Sequence, residues 1–218
     1  AAGAVPDGGV IINLSKMDRI DSGRADAEGN AYLRVQPGLT LADLRRHLNT
    51  FSVPGIAQPT KWIFTPDPTE TSASIGGMAA CNASGACSFA YGPTRDHVEA
   101  LTVVLSDGDT LRLTRGQQKA SGLSFSVETD SGSQVKGELP RFKMPDVKNA
   151  SGYWIRPDMD LLDLFIGSEG TLGIIADVEL RLRTKPPGTL GVLCYFSDES
   201  DALRFITRLR KAAPSAAP

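Results

Sequence analysis

The chain has 218 residues, enough for one substantial core, or for one domain and part of another. With 41% hydrophobic and 22% charged residues it reads as an ordinary globular protein, and its net charge of −2 argues against nucleic acid or an anionic membrane as the main partner. No apolar run reaches the roughly 18 residues of a membrane helix.

In chain order, Val10–Leu14 follows Asp7-Gly8-Gly9 and reads as a buried strand behind a turn. Ala31–Val35 is a second strand, ended by Pro37-Gly38. Thr40 is placed as an N-cap with Asp43 three residues on, and Leu41, Leu44 and Leu48 follow at helical spacing, which predicts a helix over Leu41–Asn49. From Phe51 to Ser72 four prolines (54, 59, 66, 68) and no sustained period predict a long irregular loop. Ser74–Ala83 is small and helical in character, with Gly85 placed as its C′ residue. Val98–Leu105, the Asp107-Gly108 turn and Thr110–Leu113 form a hairpin. Thr114 to Pro145 is polar, with at most two short strands, and Leu161–Ile166 is a short helix. Ile174–Leu182 alternates as a half-buried strand, with Ile174, Ala176, Val178, Leu180 and Leu182 on one face. Lys185-Pro186-Pro187-Gly188 then marks a domain boundary. Beyond it come a strand (Leu190–Phe196) and a helix (Asp198–Lys211) with Leu203, Ile206 and Leu209 inward, the start of a second domain.

Two segments are built for a ligand's close approach. Pro66 to Gly85 runs from a proline-fixed loop into a helix that opens on Gly76-Gly77, where free N–H groups and the helix dipole favour an anion such as a diphosphate without any lysine. Gly167-Ser168-Glu169-Gly170-Thr171-Leu172-Gly173 leads into a strand at Ile174-Ile175. Either segment alone reads equally well as tight packing or a strained turn. Neither matches GxGxxG or the Walker A pattern.

Taken together, about 90 residues apart and in this order, they resemble the FAD-linked oxidoreductases of the vanillyl-alcohol-oxidase/PCMH type. The nearest branch is that of D-lactate dehydrogenase, glycolate oxidase and 2-hydroxyglutarate dehydrogenase. The resemblance rests on Pro66-Asp67-Pro68-Thr69, Ala73-Ser74-Ile75-Gly76-Gly77, Asn82-Ala83-Ser84-Gly85, Tyr91-Gly92-Pro93-Thr94-Arg95-Asp96, Lys148-Asn149-Ala150-Ser151-Gly152-Tyr153 and Gly167 to Ile175.

The resemblance implies an α+β, PCMH-type FAD-binding domain over 1–185 without its N-terminal subdomain, because the family's first diphosphate loop would end near Gly3-Ala4-Val5-Pro6. Residues 186–218 would begin an α+β cap domain. It implies that Pro68, Thr69, Ser74, Gly76 and Gly77 follow the diphosphate and ribose. Asn82, Ala83, Ser84 and Gly85 would lie near the flavin's polar edge, with Tyr91 and Gly92 touching the ring. Glu169, Gly170, Gly173, Ile174 and Ile175 would contact the adenosine half and the ring's flank.

The implied activity is oxidation of a D-2-hydroxy acid by hydride transfer to flavin N5, with an electron-accepting protein or quinone, and a second copy of the chain, as further candidate partners. The alternatives are a catalytically inactive fragment or a split binding module that needs a partner chain, either of which could lack FAD, and another FAD-linked enzyme of the superfamily such as an alkylglycerone-phosphate synthase. Neither His47 nor His97 stands where relatives attach flavin, so FAD is expected to be non-covalent, and no catalytic base is assigned within these residues.

His97 is expected to anchor a loop rather than act as a base, His47 to face solvent, and Arg95 and Asp96 to pair with each other or with backbone as surface groups. Trp62 and Trp154 are expected in the core or an interface. Cys81, Cys87 and Cys194 make no disulfide framework, and with the two histidines they match no zinc spacing, which predicts reduced thiols in a cytoplasmic protein.

Overall fold

The computed structural model describes residues 8–53, 56, 61–145, 147, 149 and 152–212, with only the backbone at Ser22. The expectations that rest on Gly3 to Pro6, Pro54, Pro59, Lys148, Ala150 and Ser151 lie outside the described residues.

The strands are β1 (Ile20–Ala25), β2 (Ala31–Val35), β3 (Trp62–Ile63), β4 (Val98–Val104), β5 (Thr110–Thr114), β6 (Ser124–Glu128), β7 (Gln134–Glu138) and β8 (Ile174–Thr184). The main sheet is six-stranded and antiparallel, ordered β1-β2-β8-β4-β5, with β3 paired to the end of β8; β6 and β7 form a separate hairpin. The helices are α1 (Leu41–Leu48), α2 (Ile75–Ala80), α3 (Ser88–Tyr91), α4 (Leu162–Phe165) and α5 (Glu199–Ala212), with a 3-10 turn at Thr94–His97. The α+β class is therefore as expected.

The longest strand, β8, is the centre of the sheet. Val178, Leu180 and Leu182 point into the core with Leu33 and Val35 of β2 and Leu101 and Val103 of β4. The alternation expected over Ile174–Leu182 holds only in its second half. Asp177 faces Thr102 and Ile175 faces Val103, so Ala176 is an extra residue in a bulge, and Ile175 becomes buried where strict alternation would expose it. On the opposite face Glu179, itself buried, accepts both Nε (3.0 Å) and an Nη (2.7 Å) of Arg24.

Local chemistry explains the helices that were foreseen. Thr40 caps α1 by accepting the Asp43 N–H at 3.1 Å, and Leu41, Leu44 and Leu48 are buried. Ser74 caps α2 by accepting the Gly77 N–H at 3.2 Å. The two caps are bridged in antiparallel fashion, and Leu41 N–H bonds Ala73 O at 2.9 Å, so the starts of α1 and α2 are stitched together. At the other end of α2, Asn82 rather than Gly85 is the left-handed C′ residue, with φ of 46°. Its N–H bonds Ala79 O and the Ala83 N–H bonds Met78 O at 2.8 Å, the paired closure of a Schellman motif. Asn tolerates this conformation, which frees Gly85 for a different purpose: a Cβ there would lie 1.9 Å from Asp67 O.

Three expectations are corrected. Val10–Leu14 is not a buried strand: Val10, Ile11 and Ile12 are exposed and unpaired among the described residues. Ile20–Ala25 is the strand beside β2 instead; its polar sequence hid it, because register with β2 rather than apolar content makes it a strand. Leu190–Phe196 forms no strand, and Leu203, Ile206 and Leu209 of α5 are exposed rather than inward. An apolar stripe becomes a core only when another element lies against it, and the described residues supply none.

Candidate functional site

The main cleft, about 630 Å³, lies between the 11–15 segment, Pro37-Gly38, α2 and the 169–175 turn. Its volume is in the range of about 300–1,000 Å³ usual for ligand sites. Ile11, Ile12, Asn13, Leu14 and Ser15 form one wall; Pro37, Gly38, Thr40, Ser72, Ser74, Gly76, Gly77, Ala80 and Cys81 form the floor; Glu169, Gly170, Gly173, Ile174 and Ile175 close it. Among the described residues no lysine or arginine lines it.

The glycines divide by role. At Gly76 a Cβ would lie 2.5 Å from Pro37 Cβ and 3.0 Å from Pro37 O, so this glycine lets α2 sit on the Pro37-Gly38 turn. At Gly173 a Cβ would lie 2.6 Å from Val103 Cγ1, which locks the turn onto β4. A Cβ at Gly77 would meet only Ser74 Oγ, at 2.9 Å, and one at Gly170 would meet nothing within 4 Å. These two leave bare backbone toward the cleft. Gly170 also has φ of 81°, which only glycine adopts without strain.

The α2 start does not offer free amides. Ile75 N–H bonds Leu39 O, Gly76 N–H bonds Pro37 O, both at 2.8 Å, and Gly77 N–H bonds Ser74 Oγ. The anion cradle expected from a helix N-terminus is thus already filled by the protein's own oxygens. The N–H groups of Ile12, Asn13 and Gly170 have no partner among the described residues, so the unused donors stand on the two facing walls.

The 167–170 turn is held to α2 by main chain: Gly167 N–H bonds Ala79 O at 3.0 Å and Glu169 N–H bonds Ala80 O at 2.9 Å. Glu169 takes φ of 54°, a left-handed residue beside the cleft.

Of the residues expected at the site, Ser74, Gly76, Gly77, Glu169, Gly170, Gly173, Ile174 and Ile175 come together around this cleft. Asn82 instead lines a second, adjacent cleft, with its Oδ1 accepting the Arg95 N–H at 2.9 Å. Pro68, Thr69, Ala83, Ser84, Gly85, Tyr91 and Gly92 line neither cleft. Ala83 O accepts both Thr94 N–H (3.0 Å) and Thr94 Oγ1–H (2.7 Å), which fixes the loop that Gly85 lays against Asp67. Sequence reasoning missed Ile11 to Ser15, Pro37, Gly38, Thr40, Ser72, Ala80 and Cys81. One signal was available: a Gly beside Pro37 is needed because a Cβ at Gly38 would lie 2.2 Å from Leu14 O, so the 11–17 segment must cross there.

His97 is fully buried as a loop anchor, as expected. Its Nε2 lies 2.8 Å from Tyr91 O and 2.9 Å from Thr65 Oγ1, and burial holds its pKa down at about 4, so it is neutral. His47 is half-buried, tilted against Phe51 with ring centroids 5.5 Å apart, rather than solvated. Arg95 is not a surface group. It is buried, pairs with Asp163 Oδ1 at 3.2 Å, and donates to the carbonyls of Asp163 and Ile166. Burial lowers its pKa while Asp163 opposes the shift. Arg115 shares Asp163 at 3.2 Å and donates to Arg95 O at 3.0 Å. This buried network ties β4, the 3-10 turn and α4 beneath the second cleft. Trp62 is in the core, as expected.

The cleft suits a long, partly planar cofactor: two bare glycine faces, an apolar flank at Ile174 and Ile175, and neutral donors on both walls. The comparisons agree. Residues 1–114 match the family FAD_binding_4, described as FAD binding domain. The chain is 31% identical over 211 residues to a D-lactate dehydrogenase of Anaerostipes hadrus, covering 96% of this chain and 34% of the relative. It is 32% identical over 197 residues to the mitochondrial D-lactate dehydrogenase (cytochrome) of Arabidopsis thaliana, covering 90% of this chain and 26% of the relative. Against glycolate oxidase subunit GlcD of Bacillus subtilis the identity is 29%, over 92% of this chain and 33% of the relative. The chain therefore spans about a third or less of the length of these relatives. An alkyldihydroxyacetonephosphate synthase structure shares the fold, with a TM-score of 0.56 at 18% identity over 91% of this chain and 29% of that one. No described helix is long and apolar enough to cross a membrane. By its glycine-faced cleft and its match over the first half of the sequence, the chain belongs to the PCMH-type FAD binding domain family of FAD-linked oxidoreductases, and its cofactor is FAD.

Proposed function

We propose that this chain is the FAD-binding part of a dehydrogenase or oxidase acting on a D-2-hydroxy acid of the D-lactate or glycolate type. The observation that carries the reading is the cleft in which Gly77 and Gly170 present bare backbone between Ile11–Ser15 and Ile174-Ile175. The relatives' names supply the substrate class. When bound, non-covalent FAD supplies N5 as the acceptor of a hydride from the hydroxyl-bearing carbon.

The chain's own residues bind and orient. The N–H groups of Ile12, Asn13 and Gly170 hydrogen-bond the diphosphate. Ser74 Oγ, already accepting from Gly77, donates its proton to a ligand oxygen. Ile174 and Ile175 exclude water from the flank of the ring, and the Gly76–Pro37 and Gly173–Val103 contacts keep the two walls at a fixed spacing. In this reading residues 1–185 are the FAD-binding domain and 186–218 open a substrate-facing domain. Residues 188–212 are almost wholly exposed, consistent with a segment that has its partners elsewhere.

Titration with FAD, FMN and riboflavin, followed by flavin fluorescence, tests the binding role. FAD should bind much more tightly than FMN or riboflavin; equal affinities would sink the assignment of the cleft to the diphosphate. D-Lactate, and not L-lactate, should bleach the flavin of the protein that carries this chain, and the reverse preference would remove the substrate class.

A further inference from the structure

The stretch Tyr91 to Asp96 carries part of the resemblance to the family, yet none of its residues lines the main cleft. Its Arg95 is only 6% exposed, and the half-buried Trp154 covers the guanidinium, with the ring centroid 5.0 Å away. A buried guanidinium gives up its hydration, and an ion pair alone rarely repays that. Charge balance does not require it either. Asp163 is already met by Arg115, whose two Nη atoms lie 3.2 and 3.3 Å from its carboxylate oxygens.

What distinguishes Arg95 is the main chain it reaches. One Nη donates to Asp163 O and the other to Ile166 O, carbonyls at the C-terminal end of the one-turn helix α4, where the helix itself offers no donors. The peptide unit between Ile166 and Gly167 is thereby gripped at both ends: its carbonyl accepts from Arg95, and its N–H bonds Ala79 O at 3.0 Å. Ala79 O also accepts the Asn82 N–H at 3.1 Å, and Asn82 Oδ1 accepts the Arg95 N–H at 2.9 Å. Arg95, the end of α2 and the start of the 167–173 turn so close a ring of hydrogen bonds. Gly167, with φ of 89°, makes the turn on that ring: the place of its missing Cβ is 3.4 Å from an Arg95 Nη and 3.5 Å from Asn82 Cβ. Three residues on, Gly170 presents its bare backbone to the main cleft.

From this we infer that Arg95 is a positioning residue for FAD: without lining the main cleft, it fixes the 167–170 turn to the end of α2 and so sets where the Gly170 N–H stands for the diphosphate. The inference rests on the proposed assignment of that N–H to the diphosphate. Lysine cannot take the place of Arg95, because its ammonium is a point charge and lacks the planar fork that spans two carbonyls.

The test compares Arg95→Lys with Arg115→Lys in the full protein that carries this chain, freed of flavin. Each variant gives up one guanidinium beside Asp163 and keeps the charge. The bonds of Arg115 go to Val98 O, Arg95 O, Asp160 and Asp163, none of them on α2 or the turn. Arg95→Lys should weaken FAD about tenfold and leave riboflavin, which has no diphosphate, within about twofold. Arg115→Lys should leave the ratio of the two affinities as it is, and a general loosening of the fold would weaken both flavins together. Amide exchange without flavin reads the strut directly: the Gly167 and Glu169 N–H groups should exchange about tenfold faster in Arg95→Lys and at an unchanged rate in Arg115→Lys. Asn82→Gly, which removes the acceptor of the Arg95 N–H, should move both readouts the same way, and it stands in should Arg95→Lys not fold. Where the wild type prefers FAD, an unchanged ratio in Arg95→Lys overturns the inference, and so does unchanged exchange at those two amides. A wild type that binds FAD no better than riboflavin, with exchange still selectively faster in Arg95→Lys, counts against the diphosphate assignment and upholds Arg95 as the strut of the turn.

Discussion

Adding one methyl group at Gly76 or at Gly77 should have opposite consequences, although the two residues are adjacent on one short helix. In Gly76→Ala the new Cβ lands 2.5 Å from Pro37 Cβ, over 1 Å inside normal contact, and also crowds Pro37 O and Cα at 3.0 and 3.1 Å. These are backbone and ring atoms that cannot turn aside. Overpacking of this kind costs about 1–3 kcal/mol. Pushing α2 off Pro37 also weakens the 2.8 Å Gly76 N–H to Pro37 O bond, at about 1 kcal/mol. Better helix propensity returns about 1 kcal/mol, so the net loss is about 2 kcal/mol. In Gly77→Ala the only near atom is Ser74 Oγ, at 2.9 Å, on a side chain that can rotate. Propensity then roughly cancels the disturbed cap, and stability should change by less than about 0.5 kcal/mol. The methyl group, however, stands in the cleft and should cut FAD affinity about tenfold, or ~1.4 kcal/mol. Urea unfolding reads the first effect and FAD titration the second. Equal destabilisation by both substitutions, or unaltered FAD affinity in Gly77→Ala, would refute the division of roles.

His97 predicts a pH dependence. Its pKa is about 4 in the fold against 6.5 unfolded, so below pH 6.5 the unfolded chain takes up a proton that the fold refuses. Stability is complete above pH 6.5 and falls toward pH 4, by ~3 kcal/mol in all at 1.36 kcal/mol per unit; His97→Gln should remove this component from the difference curve, and an unchanged slope would refute the buried neutral state. Asp163→Ala should destabilise by about 3 kcal/mol by leaving Arg95 buried without its counter-charge, whereas an exposed substitution such as Arg46→Ala should cost under about 1 kcal/mol; denaturant midpoints compare them. Asn82→Gly should keep the left-handed turn but lose the Arg95 N–H acceptor, and Asn82→Ala should lose both, so Ala should be the worse by about 1 kcal/mol in urea unfolding.

Local chemistry by itself determined much of this protein. Thr40 and Ser74 announce helix starts because a hydroxyl meets a free N–H within one turn, and Asp107-Gly108 announces a hairpin because few residues take that turn. The family, and with it FAD, was legible because the glycine-rich stretches stand in the family's order from Gly76 to Gly173: Gly76 and Gly173 permit close contact with Pro37 and β4, and Gly170 takes a left-handed turn. What tertiary structure decided is how each group is used. The amides at the start of α2 look free in the sequence, yet Pro37 and Leu39, far away in the chain, supply their acceptors. Ile11 and Ile12 look like core and instead face the cleft, while Arg95 looks like surface and is buried over Asp163. Apolar pattern and charge state what a side chain prefers. Whether the preference is met depends on which distant segment lies against it, and that is a property of the packed sheet and not of any window of residues.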